Sequence, residues 1–287
     1  MKQRLIWSAI LLAVLLTNIN AQSPIKKDTV QYAPVINRAV SYGIGYANIY
    51  DTYLSPQEYK GIDFRISRET MKMTRLWAGN ISVQNFLQAN ISYTHNHVDN
   101  NNSFSGLLNW NYGLHYQFRI SPNFKLLAGA LIDANLGFIY NLRNGNNPAS
   151  AKFYLNLAPS GMAIWNTKIK NYPLTLRYQV NIPVMGMMFS PHYGQSYYEI
   201  FSLGNDSGTL KFTSFHNQPS IRQFFSVDLP IKAVKLRLSY ICDIQQSKIN
   251  NIRAHSYTHT FMFGFVTEMC KLKPKETIHV PSGLKAY

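Results

Sequence analysis

The sequence predicts an all-β fold, an antiparallel transmembrane β-barrel of about twelve strands with short periplasmic turns and longer extracellular loops. Three observations lead there. The stretch NWNYGLHYQFRI, residues 109–120, sets Trp110, Tyr112, Leu114, Tyr116, Phe118 and Ile120 against Asn109, Asn111, Gly113, His115, Gln117 and Arg119. A period of two marks a strand with one apolar and one polar face. The same alternation recurs along the chain, and after residue 21 no unbroken apolar run reaches helix-spanning length. The polar faces carry Asp63, Arg65, Arg119, Asp133, Arg177, Arg222, Asp228, Arg237 and Asp243. Such charges suit a hydrated or ion-paired lumen and would be costly toward lipid.

Residues 1–21 read as a secretory signal peptide. Lys2 and Arg4 give a basic start, Leu5 to Leu16 is apolar apart from Ser8, and the expected cut precedes Gln22. No Cys follows the apolar run, so a lipoprotein is not expected. Residues 22–37 and 271–287 read as periplasmic tails around a barrel domain at 38–270. Removing Lys2 and Arg4 takes the formal charge from +15 to +13. Tyr and Phe number 19 and 16, while charged residues are only 14% of the chain, a balance that suits many strands with aromatic ends.

The first strand is predicted at 38–50, where Val40, Tyr42, Ile44 and Tyr46 alternate with small residues. The second starts near 59 and runs as far as Trp77 with a bulge, before a tight turn at 78–80. The third covers 81–95, with a bulge near Asn85 and Phe86, where the parity breaks. A polar loop at 96–105 leads to the strand at 109–120. Further strands are predicted at 124–140, 151–165 and 174–182. Residues 185–220 read as two short strands, 195–203 and 209–216, joined by a Gly-rich turn; a single loop there would lower the count to ten. Strands at 221–229, from 234, and at 254–269 complete the set.

Turns near 79, 122, 205 and 229 are expected to be tight and those near 55, 100, 145, 190 and 248 mostly longer. Trp77 and Trp165 fall at short-turn ends, where an interfacial girdle places amphipathic rings. Lipid leaves no partner for an open sheet edge, so the strands must close on themselves. Cys242 and Cys270 fall at opposite ends of adjacent strands, about 40 Å apart. A disulfide needs Cα atoms within about 7 Å, so two free thiols are expected.

With these strands in place, SPHYGQSYYEIF at 190–201 and FMFGF at 261–265 resemble a functionally uncharacterised outer-membrane β-barrel family of Bacteroidota-type bacteria. The resemblance implies a Gram-negative outer membrane, with lipids, lipopolysaccharide and the barrel-assembly machinery as partners. It transfers no activity. Many such barrels end on an aromatic residue of the last strand; here a tail follows Cys270, so an assembly signal would be internal, at Phe265.

Two kinds of site are in view. His192, Ser196 and Glu199, with Tyr193 and Tyr198, could form a triad-like set for a surface or lipid hydrolase at the rim. On a strand, however, His192 and Ser196 share one face and Glu199 the other. Arg65, Arg119, Arg177, Arg222 and Arg237 favour anions if the pore is open, or plug it if they pair with Asp63, Asp133, Asp228 and Asp243. His95 and His97 share a strand face but lack a third ligand, so no metal site is assigned. No cofactor motif or nucleic-acid module is present. The function that fits is structural, or passage or binding of a small solute; the alternatives are the hydrolase and a secreted soluble β-sandwich binding protein.

Overall fold

The computed structural model describes residues 35–270 apart from 146, 171, 232 and 233. The segment 1–21 and the tail beyond 270 lie outside the described residues. The strands are β1 Val35–Asp51, β2 Ser55–Met73, β3 Ile81–Asn96, β4 Asn102–Arg119, β5 Phe124–Asn141 and β6 Ala149–Ile169. They continue with β7 Tyr172–Asn181, β8 Met185–Phe189, β9 Leu210–Ser214, β10 Ile221–Ile231, β11 Val234–Ile249 and β12 Ile252–Cys270. Among the described residues a 3-10 turn spans Leu76–Gly79 and a short α-helix, α1, spans Tyr197–Phe201.

Ten strands close the barrel. Each pairs antiparallel with its successor from β1 to β7, β7 pairs with β10, and β12 returns to β1. The remaining two, β8 and β9, form a hairpin on β6. β5 occupies one edge of β6 along almost its whole length, so β8 takes the same edge as β7, beyond its end.

Three local features differ from the sequence expectation. Residues 195–203 hold a helix and not a strand, because Ser196 and Glu199 form a capping box that starts α1. Residues 185–189, outside the expected strands, form β8. The bulges expected near Asn85 and within the second strand do not occur, since β2–β3 and β3–β4 keep an unbroken register. Asn85 points outward and accepts a hydrogen bond from Trp110 Nε1 at 3.0 Å, while Phe86 turns inward.

The chain enters and leaves at one end, where Val35 pairs with Cys270. At the far end, connections 52–54, 97–101, 142–148 and 250–251 are all short. Loop length is instead concentrated in 182–220, where the β8–β9 hairpin and α1 are built. Strong curvature demands close backbone approach: a Cβ on Gly45 would sit 2.0 Å from the His259 carbonyl oxygen.

Burial is inverted relative to a soluble barrel. Ile44 and Phe261 are 64% and 71% exposed, whereas Asp63 and Arg65 are 0% and 1% exposed. A soluble sandwich would bury the first pair and expose the second. The outer faces of all ten wall strands are mainly Ile, Leu, Phe, Tyr and Trp, a lipid-facing belt. Trp77 and Trp165 are both exposed near the end that carries residues 35 and 270. Cys242 is a free thiol, and Cys270 lies eleven residues beyond the partner of Cys242 on β12, about 36 Å along the strand.

The belt makes a depth-dependent prediction. Ile44→Arg, at mid-strand, should destabilise the lipid-folded protein by about 2–4 kcal/mol, and Ile36→Arg, at the strand end, by about 0–1 kcal/mol. Urea titration in lipid vesicles, read by the heat-modifiable gel shift of the folded barrel, measures both. Equal costs would mean that no hydrocarbon surrounds Ile44.

Candidate functional site

The interior is held by two buried ion clusters. Every second residue of a strand points inward, so β2 alone delivers Asp63, Arg65, Ser67, Glu69 and Met71. In the cluster nearer residues 35 and 270, Arg177 on β7 donates to both oxygens of Glu69 at 2.8 and 2.9 Å. Arg237 on β11 reaches Glu69 Oε2 at 2.7 Å and holds Asp228 in a two-point contact at 2.6 and 2.7 Å. Gln84 donates to Glu69 at 2.6 Å and exchanges hydrogen bonds with Gln179, both at 2.9 Å. The Arg177 guanidinium lies 4.7 Å over the Phe224 ring. Glu69 thus joins β2 to the opposite wall.

The second cluster lies nearer the far end. Arg222 on β10 donates to Asp243 at 2.9 Å, Asp133 at 3.1 Å and Asn109 at 2.8 Å. Arg65 donates to Gln88 at 2.9 Å and Thr258 at 2.6 Å, and its Nε lies 3.5 Å from Asp63. Asp63 in turn accepts from Asn90, Ser92 and Thr260, each at 2.8 Å. Among the described residues, these two clusters set four buried arginines against five buried carboxylates, leaving the formal sum at −1. That balance gives no excess positive field for anions.

Eight of the nine charged positions singled out from the sequence are therefore buried inside. Arg119 is not: it is the last residue of β4 and is exposed, beyond the level where side chains fill the barrel. Glu69 is the residue that sequence reasoning missed. Its signal is the unbroken parity from Asp63 to Met71, which an expected bulge conceals.

Beyond the second cluster lies a cavity of about 60 Å³, room for a few water molecules. Its apolar side is Ile49, Leu107, Ile139 and Met188; its polar side includes Tyr154, Gln218 and Gln245. Lys152 also lines it and is already paired with Asp51 at 2.6 Å.

The segment 190–209 is fastened across the far end. Tyr53 Oη donates to the Gln195 carbonyl at 2.7 Å, and Ala151 N–H donates to Tyr197 Oη at 2.6 Å. Asn250 Nδ2 reaches the carbonyls of Ser190 and Gly208 at 2.8 and 3.0 Å. Burial, with smaller contributions from Tyr197, Asp51 and Glu199, pushes the Tyr53 hydroxyl up to about 12. Tyr53 therefore keeps the proton it donates; its contribution is complete below pH 10 and is lost as pH rises through about 12.

The triad-like set does not assemble. Ser196 Oγ and Glu199 bond to each other at 3.0 Å as the cap of α1. The Ser196 backbone N–H, then its hydroxyl, hold the Glu199 carboxyl below its usual range. The His192 ring contacts the Ser207 carbonyl at 3.3 Å instead of Ser196. Tyr193 and Tyr198 are exposed.

Residues 8–276 match the model of a family described as a protein of unknown function, DUF3316. The chain belongs to the DUF3316 family. No curated protein sequence matches it. Among solved structures it is similar to the transport unit of the autotransporter AIDA-I from Escherichia coli, with 7% identity and a TM-score of 0.41 over 91% of this chain and 97% of that one. It is also similar to the translocator domain of the autotransporter NalP from Neisseria meningitidis, with 10% identity and a TM-score of 0.39 over 93% and 96%. An outer-membrane channel from Pseudomonas putida F1 aligns with 8% identity and a TM-score of 0.37 over 86% and 100%.

Two substitutions test this architecture. Glu69→Ala leaves two buried guanidinium groups without their shared carboxylate and should cost about 3–5 kcal/mol. Adding Arg177→Met should restore part of that loss, because the stranded charge is removed; urea unfolding in vesicles of the single and double variants measures it. Tyr53→Phe should leave global stability within about 1 kcal/mol and speed limited proteolysis within 190–209 at pH 8. Unchanged cleavage would show that Tyr53 does not anchor the segment.

Proposed function

We propose that this chain is a Gram-negative outer-membrane barrel that binds a small solute in the far half of its lumen and does not form a standing pore. The observation that carries this is the arrangement of the interior: ion clusters bridging opposite walls on one side, and a cavity of mixed polarity beyond them. A lumen filled by paired side chains is the habit of small barrels. The basic, apolar start of the sequence supports export, with the end bearing residues 35 and 270 in the periplasm and the far end outside.

The outer surface supports contact with anionic lipid headgroups such as lipopolysaccharide. Lys248 and Arg253 stand directly opposite each other on β11 and β12 near the far end, and both are exposed. Facing like charges oppose each other unless an anion joins them. Assembly through the barrel-assembly machinery would then use an internal aromatic such as Phe265, which is exposed on β12.

Purified protein in planar bilayers should show no steady conductance steps. Stable ohmic steps of the unmodified protein would overturn the closed-lumen reading. Ser247→Cys, in a background with Cys242→Ala and Cys270→Ala, places a thiol at the cavity. It should react with a small charged methanethiosulfonate in proteoliposomes. A thiol that stays unreactive in the folded protein would mean that the cavity is closed to water and would sink the binding site.

A further inference from the structure

Among the described residues, the wall loses its ladder between β7 and β10 toward the far end. β7 pairs with β10 as far as Asn181 and Arg222, and the ladder resumes only where Met185 meets Ser214. Between these pairs, residues 182–184 on one side face 215–221 on the other. Both lines change parity across the gap. Asn181 and Met188 point inward on the first; Thr213 and Arg222 do so on the second.

One proline faces this gap. The Ile182 and Val184 N–H groups donate to the carbonyls of Pro159 and Leu157 on β6, both at 3.0 Å. Backbone groups alternate sides along a strand, so position 183 faces the gap, where Pro183 has no N–H to offer. Pro159 lies on the other side of residues 182–184, where its carbonyl accepts from Ile182. Pro219 lies in the opposite segment. That segment is drawn onto β11 instead: Lys248 N–H donates to the Asn217 carbonyl at 2.8 Å and Gln246 N–H to Ser220 Oγ at 3.3 Å. An unpaired N–H facing lipid costs several kcal/mol, and Pro183 presents none to the gap.

The gap leads inward. A small void of about 10 Å³ behind it is lined by Pro183, Ser220 and Ile221 together with Tyr154, Gln218 and Gln245. The last three also line the larger cavity. Outside, Leu155, Leu157, Met185, Phe212 and Phe215 are exposed apolar side chains. Lipid-facing surface, wall break, void and cavity therefore lie in sequence.

We propose that the break between Pro183 and Pro219 is a lateral portal through which a small uncharged amphiphile passes between the membrane and the lumen cavity. This rests on the reading of that cavity as the binding site. The class of molecule follows from the lining. Ile49, Leu107, Ile139 and Met188 suit an apolar body, and the amides of Gln218 and Gln245 suit one or two hydrogen-bonding groups. The nearby charges are already paired, so an ionic ligand would find no counter-charge to repay its desolvation.

The test uses folded protein in proteoliposomes, in the Cys242→Ala, Cys270→Ala background, with folding verified by gel mobility. Ser220→Cys reports the portal. Ser239→Cys, inward-facing on β11 behind an unbroken ladder, is the reference. A membrane-partitioning pyrene maleimide should label Ser220→Cys at least tenfold faster than Ser239→Cys. Adding Pro183→Val should slow labelling of Ser220→Cys at least fivefold and leave the Ser247→Cys reaction with charged reagent unchanged. Equal rates at positions 220 and 239 would overturn the portal, even if the proline variant does not fold. So would labelling that ignores Pro183. Loss of the Ser247→Cys reaction alone would instead count against the cavity.

Discussion

The Glu69 carboxylate is the point on which the interior depends. It sits on β2 and is shared by Arg177 and Arg237, which come from β7 and β11 across the barrel. The outer face of every wall strand must be apolar to meet lipid, so alternation sends the polar residues inside. A narrow closed barrel then has no bulk water to solvate them. Charges in such a space must be matched one against another, with hydrogen bonds filling the remaining positions. Asp63 shows how fully this is done: three hydroxyl or amide donors and one guanidinium surround it.

The same constraint decides what the lumen can do. Arginine-rich polar faces in the sequence suggest an anion path, yet the arginines are consumed by carboxylates from other strands. Pairing of this kind is invisible to strand parity. Parity says which residues point inward; register and shear decide which of them meet. Arg222 and Asp133 are 89 residues apart and adjacent only because β10 and β5 face each other across the interior.

The barrel itself is legible in the sequence because alternation sustained over ten or more residues requires a strand with two different environments. What sequence reasoning misses is local. Glu69 is lost to an expected bulge that the register does not contain. Aromatic residues at 197–201 resemble strand, while Ser196 and Glu199 carry the helix start in plain view. Arg119 has the right parity and the wrong height, as the final residue of its strand. The wall break is the clearest case of information that sequence order scatters. Residues 182–184 and 215–221 have no local relation, and only the pairing of β7 with β10 and of β8 with β9 sets them face to face.

A closed axial lumen and a broken side wall are two consequences of one economy. Ion pairs between opposite walls hold the barrel shut along its axis, and they can do so only where strands are in register and inward residues face one another. At the far half, β7 gives way to β8 and β10 to β9, parity flips, and the pairing scheme cannot continue. The interior there changes from guanidinium and carboxylate to methionine, tyrosine and glutamine. The proposed access follows the weakest part of the wall. Opening the axis would mean separating several buried ion pairs at once, whereas the side wall at Pro183 has no ladder bond to break. A solute reaching the cavity through that wall leaves Glu69 and its arginines undisturbed, so transport or capture at the side is compatible with the same network that keeps the barrel folded.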